Sequence, residues 1–159
     1  MRLGGDLADA GDQSVARAVA AFQKSFGQEV GGDRTVAAPT AEDARRHVWP
    51  EIRARRNRLN TPGGYGVWSI TPPPQEFVRT GRDDLDRGAV VLLASDGLMR
   101  LVDVYRALTI EELVARARGE GLAALGRELR RIEAGDGANL AYPRAKTTDD
   151  ATALLLTID

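Results

Sequence analysis

Ala89-Val90-Val91-Leu92-Leu93-Ala94-Ser95-Asp96-Gly97-Leu98 is the stretch on which the architecture turns. Its first six residues are apolar, β-branched at Val90 and Val91, and follow a polar turn from Gly81 to Gly88, so they read as a fully buried strand. A second run of the same kind closes the chain, Ala151–Ile158, directly after Asp149 and Asp150. One acidic residue thus follows the first strand and a pair precedes the second. If the strands are antiparallel neighbours, Asp96 and Asp149 meet at one edge of the sheet. If they are parallel, the two carboxylates lie roughly 17–20 Å apart, a strand's length, and cannot share an ion.

Between the strands lie two helices. Thr109-Ile110-Glu111-Glu112 is a capping box and opens a helix to about Arg118. Gly119 and Gly121 break it, and Leu122, Leu125, Leu129 and Ile132 then share one face of a helix ending at Gly135. Pro143 to Thr148 reads as a polar loop.

Upstream, Val15, Val19, Phe22 and Phe26 recur at helical spacing over 13–26, and 27–38 reads as a loop with Gly27, Gly31 and Gly32. Thr40 and Asp43 mark another helix start. The pattern over 40–59 carries Val48, Ile52 and Leu59, with Pro50 predicting two short pieces or a kink. After the turn cluster Asn60–Gly64, Tyr65–Ile70 alternates like a strand, with Trp68 expected in the core. Pro72-Pro73-Pro74 interrupts it, and a short strand is expected at Glu76–Thr80. Strands separated by paired helices predict an α+β layered domain.

Composition narrows the chemistry. The chain has no cysteine, which removes disulfides, thiolate metal sites and cysteine nucleophiles. Its one histidine, His47, lies among arginines and reads as a surface or packing residue, so zinc chemistry built on histidine is nearly excluded. A net charge of −1 carries no nucleic-acid footprint. No apolar run reaches membrane-spanning length and Met1–Asp6 holds no signal-peptide core, so the expected location is cytoplasmic, with no membrane partner. Metal chemistry here must use oxygen ligands, which points to Mg²⁺ or Mn²⁺. Asp96 and Asp149 are the candidate metal ligands. Gly97 would let the backbone turn sharply beyond the first of them. Taken singly, Asp-Gly after a strand is most often a turn, and Asp-Asp before one a solvated cap. Arg144 and Lys146 flank the Asp pair and either meet a phosphorylated substrate or balance local acid. The arginines at 45, 46, 53, 55, 56 and 58 read as a solvated helix face.

Leu92-Leu93-Ala94-Ser95-Asp96-Gly97-Leu98, then Thr148-Asp149-Asp150-Ala151-Thr152 after two helices, resembles the metal-dependent protein serine/threonine phosphatases of the PPM (PP2C-like) family, bacterial type. Pro62-Gly63-Gly64-Tyr65-Gly66-Val67-Trp68 is similar to the family's preceding strand. The likeness covers about 57–159, with 1–56 left as a helical N-terminal segment. It implies a layered β-sandwich flanked by helices, of which this chain holds the C-terminal part. It also implies Asp96 and Asp149 as metal-binding aspartates, Mg²⁺ or Mn²⁺ as cofactor, and a phosphorylated protein as substrate. Asp150 stands where the family more often has Asn. The family's N-terminal Asp-Gly motif has no counterpart after a buried strand, because the only Asp-Gly pairs are Asp96-Gly97 and Asp136-Gly137. The chain is therefore expected to be a late fragment or a degenerate relative. In the latter case it would be a non-catalytic binding or regulatory module of the same fold. A phosphotransferase with an aspartyl nucleophile would want a second Asp two residues on, and position 98 is Leu.

Overall fold

Two apolar spacings build the first compact unit, Met1–Arg82 with Pro143–Ala145. The computed structural model describes residues 6–28 and 40–159. Helix α1 spans Asp6–Gln28 and buries Val15 and Val19, one turn apart, with Phe22 half-buried beyond them. Helix α2 spans Ala41–Arg56 and answers with Ala44, Val48 and Ile52 at the same spacing. Thr40 starts α2 through a reciprocal capping box with Asp43. That bond to Thr40 holds the Asp43 carboxyl below its ordinary range. His47 stacks on Phe22 with ring centroids 4.4 Å apart, the packing role expected of it. The expected loop over 27–38 lies outside the described residues beyond Gln28.

Pro50 does not split the second helix. It sits on the exposed side of one continuous α2. The ring removes one main-chain donor, but buried Val48 before it and half-buried Ile52 after it hold both halves in the same apolar seam.

The two strands expected upstream do not form. Tyr65–Ile70 makes only an isolated bridge, Tyr65 to Leu59, and Glu76–Thr80 gives way to a 3₁₀ turn at Gln75–Phe77. The Asn60 side chain explains the first difference. Its Oδ1 accepts from Val67 N–H at 2.8 Å and its Nδ2 donates to the Val67 carbonyl at 3.1 Å, so a side-chain amide takes the place of a neighbouring strand. Trp68 is accordingly 74% exposed and not core.

The second unit is Asp83–Tyr142 with Lys146–Asp159. Strand β1 (Val90–Ala94) pairs antiparallel with β2 (Ala153–Thr157) in the register Val90↔Thr157 to Ala94↔Ala153. Helix α3 (Asp96–Asp103) leaves β1 directly, and the capping box at Thr109 opens α4 (Ile110–Glu120). Gly121, at φ +84°, turns the chain into α5 (Leu122–Gly135). Gly119 lies inside α4 and breaks nothing. Leu98, Leu101, Tyr105, Leu113, Ala117, Leu125 and Leu129 form the core, and Leu92, Ala94, Ala153 and Leu155 pack on it from the sheet.

The unit is α+β, with one two-stranded sheet carrying helices on one face. The strands are not buried on both faces as their composition suggests. Leu93 is 53% exposed, and its cross-strand partner Leu154 is 52% exposed, with Leu156 open beside them. Among the described residues no helix is long and apolar enough to cross a membrane.

Candidate functional site

The site grows from the register of the sheet. Because Ala94 faces Ala153, the residue after β1 meets the residue before β2, and the two are joined twice. Ser95 N–H donates to the Thr152 carbonyl at 2.9 Å, and the Ser95 hydroxyl accepts from Thr152 N–H at 3.0 Å. Ser95 occupies the N-cap of α3, yet its hydroxyl does not cap that helix; it is spent on the facing strand.

One residue further on, Asp96 is the first helical residue of α3 and stays exposed. Its Oδ1 accepts from Gly97 N–H at 2.8 Å. A carboxylate at this end of a helix is favoured by the unsatisfied N–H groups there. Gly97 is buried with ordinary helical backbone, so the sharp turn expected of it is absent. The need for glycine is steric: a Cβ there would lie 1.8 Å from the Asp150 carbonyl oxygen. Asp150 itself is exposed and contributes this carbonyl.

Asp149 is held from three sides. Its Oδ2 accepts from Arg100 Nη2 at 2.8 Å, and its Oδ1 from Lys146 Nζ at 2.8 Å and from Asp150 N–H at 3.1 Å. Its own carbonyl accepts from Arg130 Nη2 at 2.7 Å. Burial pushes the Asp149 carboxyl up, but the Lys146 hydrogen bond and the charges of Arg100 and Lys146 outweigh that. The group is held below the usual carboxylate value. Lys146 thus balances local acid, one of its two expected roles.

Behind Arg100 lies Glu133 of α5, 1% exposed. Its Oε2 accepts from Arg130 Nη1 at 2.5 Å, and its Oε1 stands 3.8 Å from Arg100 Nη1. Arg100, Arg130 and Glu133 were not among the residues singled out from sequence. The available signal was Arg100 at four residues beyond Asp96, one helical turn on, once 96–103 is recognised as helix.

The other Asp-Gly pair has a structural job. Asp136 follows α5, with Oδ1 accepting from Leu140 and Ala141 N–H at 2.8 and 3.0 Å and Oδ2 from Tyr142 N–H at 3.1 Å. It organises the loop that leaves α5.

As donors, Asp96 and Asp149 are the hard oxygens that Mg²⁺ and Mn²⁺ take, and Mg²⁺ is commonly held by one or two carboxylates with water and substrate phosphate completing its shell. The donor class fits. Among the described residues, no three His, Cys, Asp or Glu side chains converge as a ready-made metal group. An ion taking Asp149 would do so in competition with Arg100 and Lys146. No protein-family model, curated protein or solved structure matches the chain.

Proposed function

We propose that this chain supplies the Asp96/Asp149 corner of a metal-dependent phosphatase acting on phosphoserine and phosphothreonine esters of proteins, in the manner of the PPM (PP2C-like) domains it resembles. The observation that carries the reading is the antiparallel pairing of β1 with β2, pinned by the Ser95–Thr152 bonds, which sets Ser95-Asp96-Gly97 against Asp150-Ala151-Thr152.

Bound Mg²⁺ or Mn²⁺ would lower the pKa of water, making hydroxide available as the nucleophile toward a phosphate ester near neutral pH. The chain's own residues position. Asp96 offers an exposed carboxylate on a helix that leaves the strand without a loop. Asp149 is kept ionised and oriented by Arg100 and Lys146, so no proton has to be removed before it can act as a ligand. The open sheet face supports the layered sandwich: Leu93, Leu154 and Leu156 present apolar surface suited to a second layer, which would bring the remaining carboxylates of a two-ion centre.

One observation favours a second reading, a non-catalytic module of the same fold. Both Asp149 oxygens already accept from cations, as in a structural ion pair. Calorimetry with Mn²⁺ on the chain and on Asp96→Ala and Asp149→Ala separates the two. Under the phosphatase reading, binding is weak and is lost in both variants. The chain hydrolyses p-nitrophenyl phosphate poorly by itself and well when joined to an upstream segment carrying an Asp-Gly motif. Metal binding unchanged in both variants overturns the site, and binding without turnover in the extended chain favours the module.

A further inference from the structure

We propose that Arg100 is a two-position cation controlling access to Asp149, with buried Glu133 as its second seat; this rests on the reading of Asp149 as a metal ligand. The guanidinium lies between two carboxylates and is committed to only one. Nη2 is 2.8 Å from Asp149 Oδ2, whereas Nη1 is 3.8 Å from Glu133 Oε1. Neither Nη1 nor Oε1 makes a hydrogen bond, although both atoms are buried. Buried polar atoms are almost always satisfied, so a donor and an acceptor facing each other just out of reach mark a contact waiting to close.

The surroundings determine which group moves. Arg130 is fastened at both ends of its fork, to Glu133 Oε2 and to the Asp149 carbonyl. Lys146 is half-exposed and can release Asp149 into water at little cost. Arg100 is 13% exposed and has no such escape. When a divalent cation takes Asp149, the guanidinium must find another acceptor, and a shift of roughly 1 Å brings Nη1 within hydrogen-bond range of Oε1. Its planar fork, with donors on both nitrogens, can lean either way where a lysine could not. Glu133 therefore lowers the cost of giving up Asp149, and Arg100 keeps that carboxylate ordered until it is claimed.

The test uses Mg²⁺, calorimetry and guanidinium nitrogen NMR on the full chain. Mg²⁺ should shift the Arg100 guanidinium resonances, and Glu133→Gln should weaken Mg²⁺ binding at least about fivefold, the lower range of ordinary coupling between sites. In an Arg100→Gln background the same Glu133→Gln change should have no effect. If it weakens binding equally there, Glu133 acts only through its field and the switch is wrong. A metal-free arm stands independently: in Asp149→Asn, Arg100 Nη1 should close on Glu133 Oε1 to hydrogen-bond distance in a crystal structure. A guanidinium that stays on residue 149 overturns the proposal. If the unmodified chain binds no Mg²⁺, the phosphatase reading falls, while the Asp149→Asn structure still decides the switch.

Discussion

Gly97 lies directly under the Asp150 carbonyl, so close that a Cβ at position 97 would sit 1.8 Å from that oxygen. The helix after β1 and the segment before β2 can approach only because the side chain is missing. Gly97→Ala should therefore push the two segments apart and destabilise the second unit by about 3 kcal/mol, the upper range for overpacking, despite alanine's better helix propensity. Denaturant unfolding measures it. A neutral or stabilising alanine would mean that the backbone yields freely.

The carboxyl of Asp149 is held below its ordinary value, and the unfolded chain restores it to about 3.9. A depressed acid contributes stability that is fully present above the unfolded value and is lost as pH falls through the folded one. The gap in unfolding midpoint between the chain and Asp149→Asn should be largest from pH 5 to 7 and shrink progressively as pH falls below the unfolded value of about 3.9 toward the lower folded one. A gap of the same size at about pH 3 as at pH 5 to 7 would point to packing and not charge.

Removing the Asp136 carboxylate leaves three backbone N–H groups of the loop after α5 without their acceptor. Asp136→Ala should cost about 2–3 kcal/mol, as for hydrogen bonds to a charged group, and should leave metal affinity unchanged. Thermal unfolding and calorimetry on the same variant check both halves.

Asn60→Ala should release Val67 from the amide that stands in for a strand. The Val67 N–H, protected by its bond to Asn60 Oδ1, should then exchange with solvent much faster, with a global stability loss near 1 kcal/mol. Unchanged exchange at Val67 would show that the loop is held by other contacts.

What was legible in the sequence was local or carried by the strongest apolar runs. The capping boxes at Thr40 and Thr109 are four-residue signals, and both open helices where expected. Two apolar runs stronger than any other marked β1 and β2, and of the two arrangements they allowed the structure has the antiparallel one. Tyr65–Ile70 misled because alternation records which faces differ, not whether a neighbouring strand exists, and an asparagine side chain supplied the missing partner. The composition of β1 and β2 implied burial on both faces, while helices cover only one. The surroundings of Asp149 stayed hidden because Arg100, Arg130 and Glu133 come from two helices, one of them only eight residues long.

Ser95 and Thr152, the residues that zip the sheet to the candidate site, are 57 positions apart in the chain. Three helices lie in that interval, and closing so long a loop slows the pairing of the second strand with the first. The corner between Ser95-Asp96-Gly97 and Asp150-Ala151-Thr152 thus depends on a long-range pairing, and a chain stopped short of Ala153 would lack the sheet that frames the candidate site.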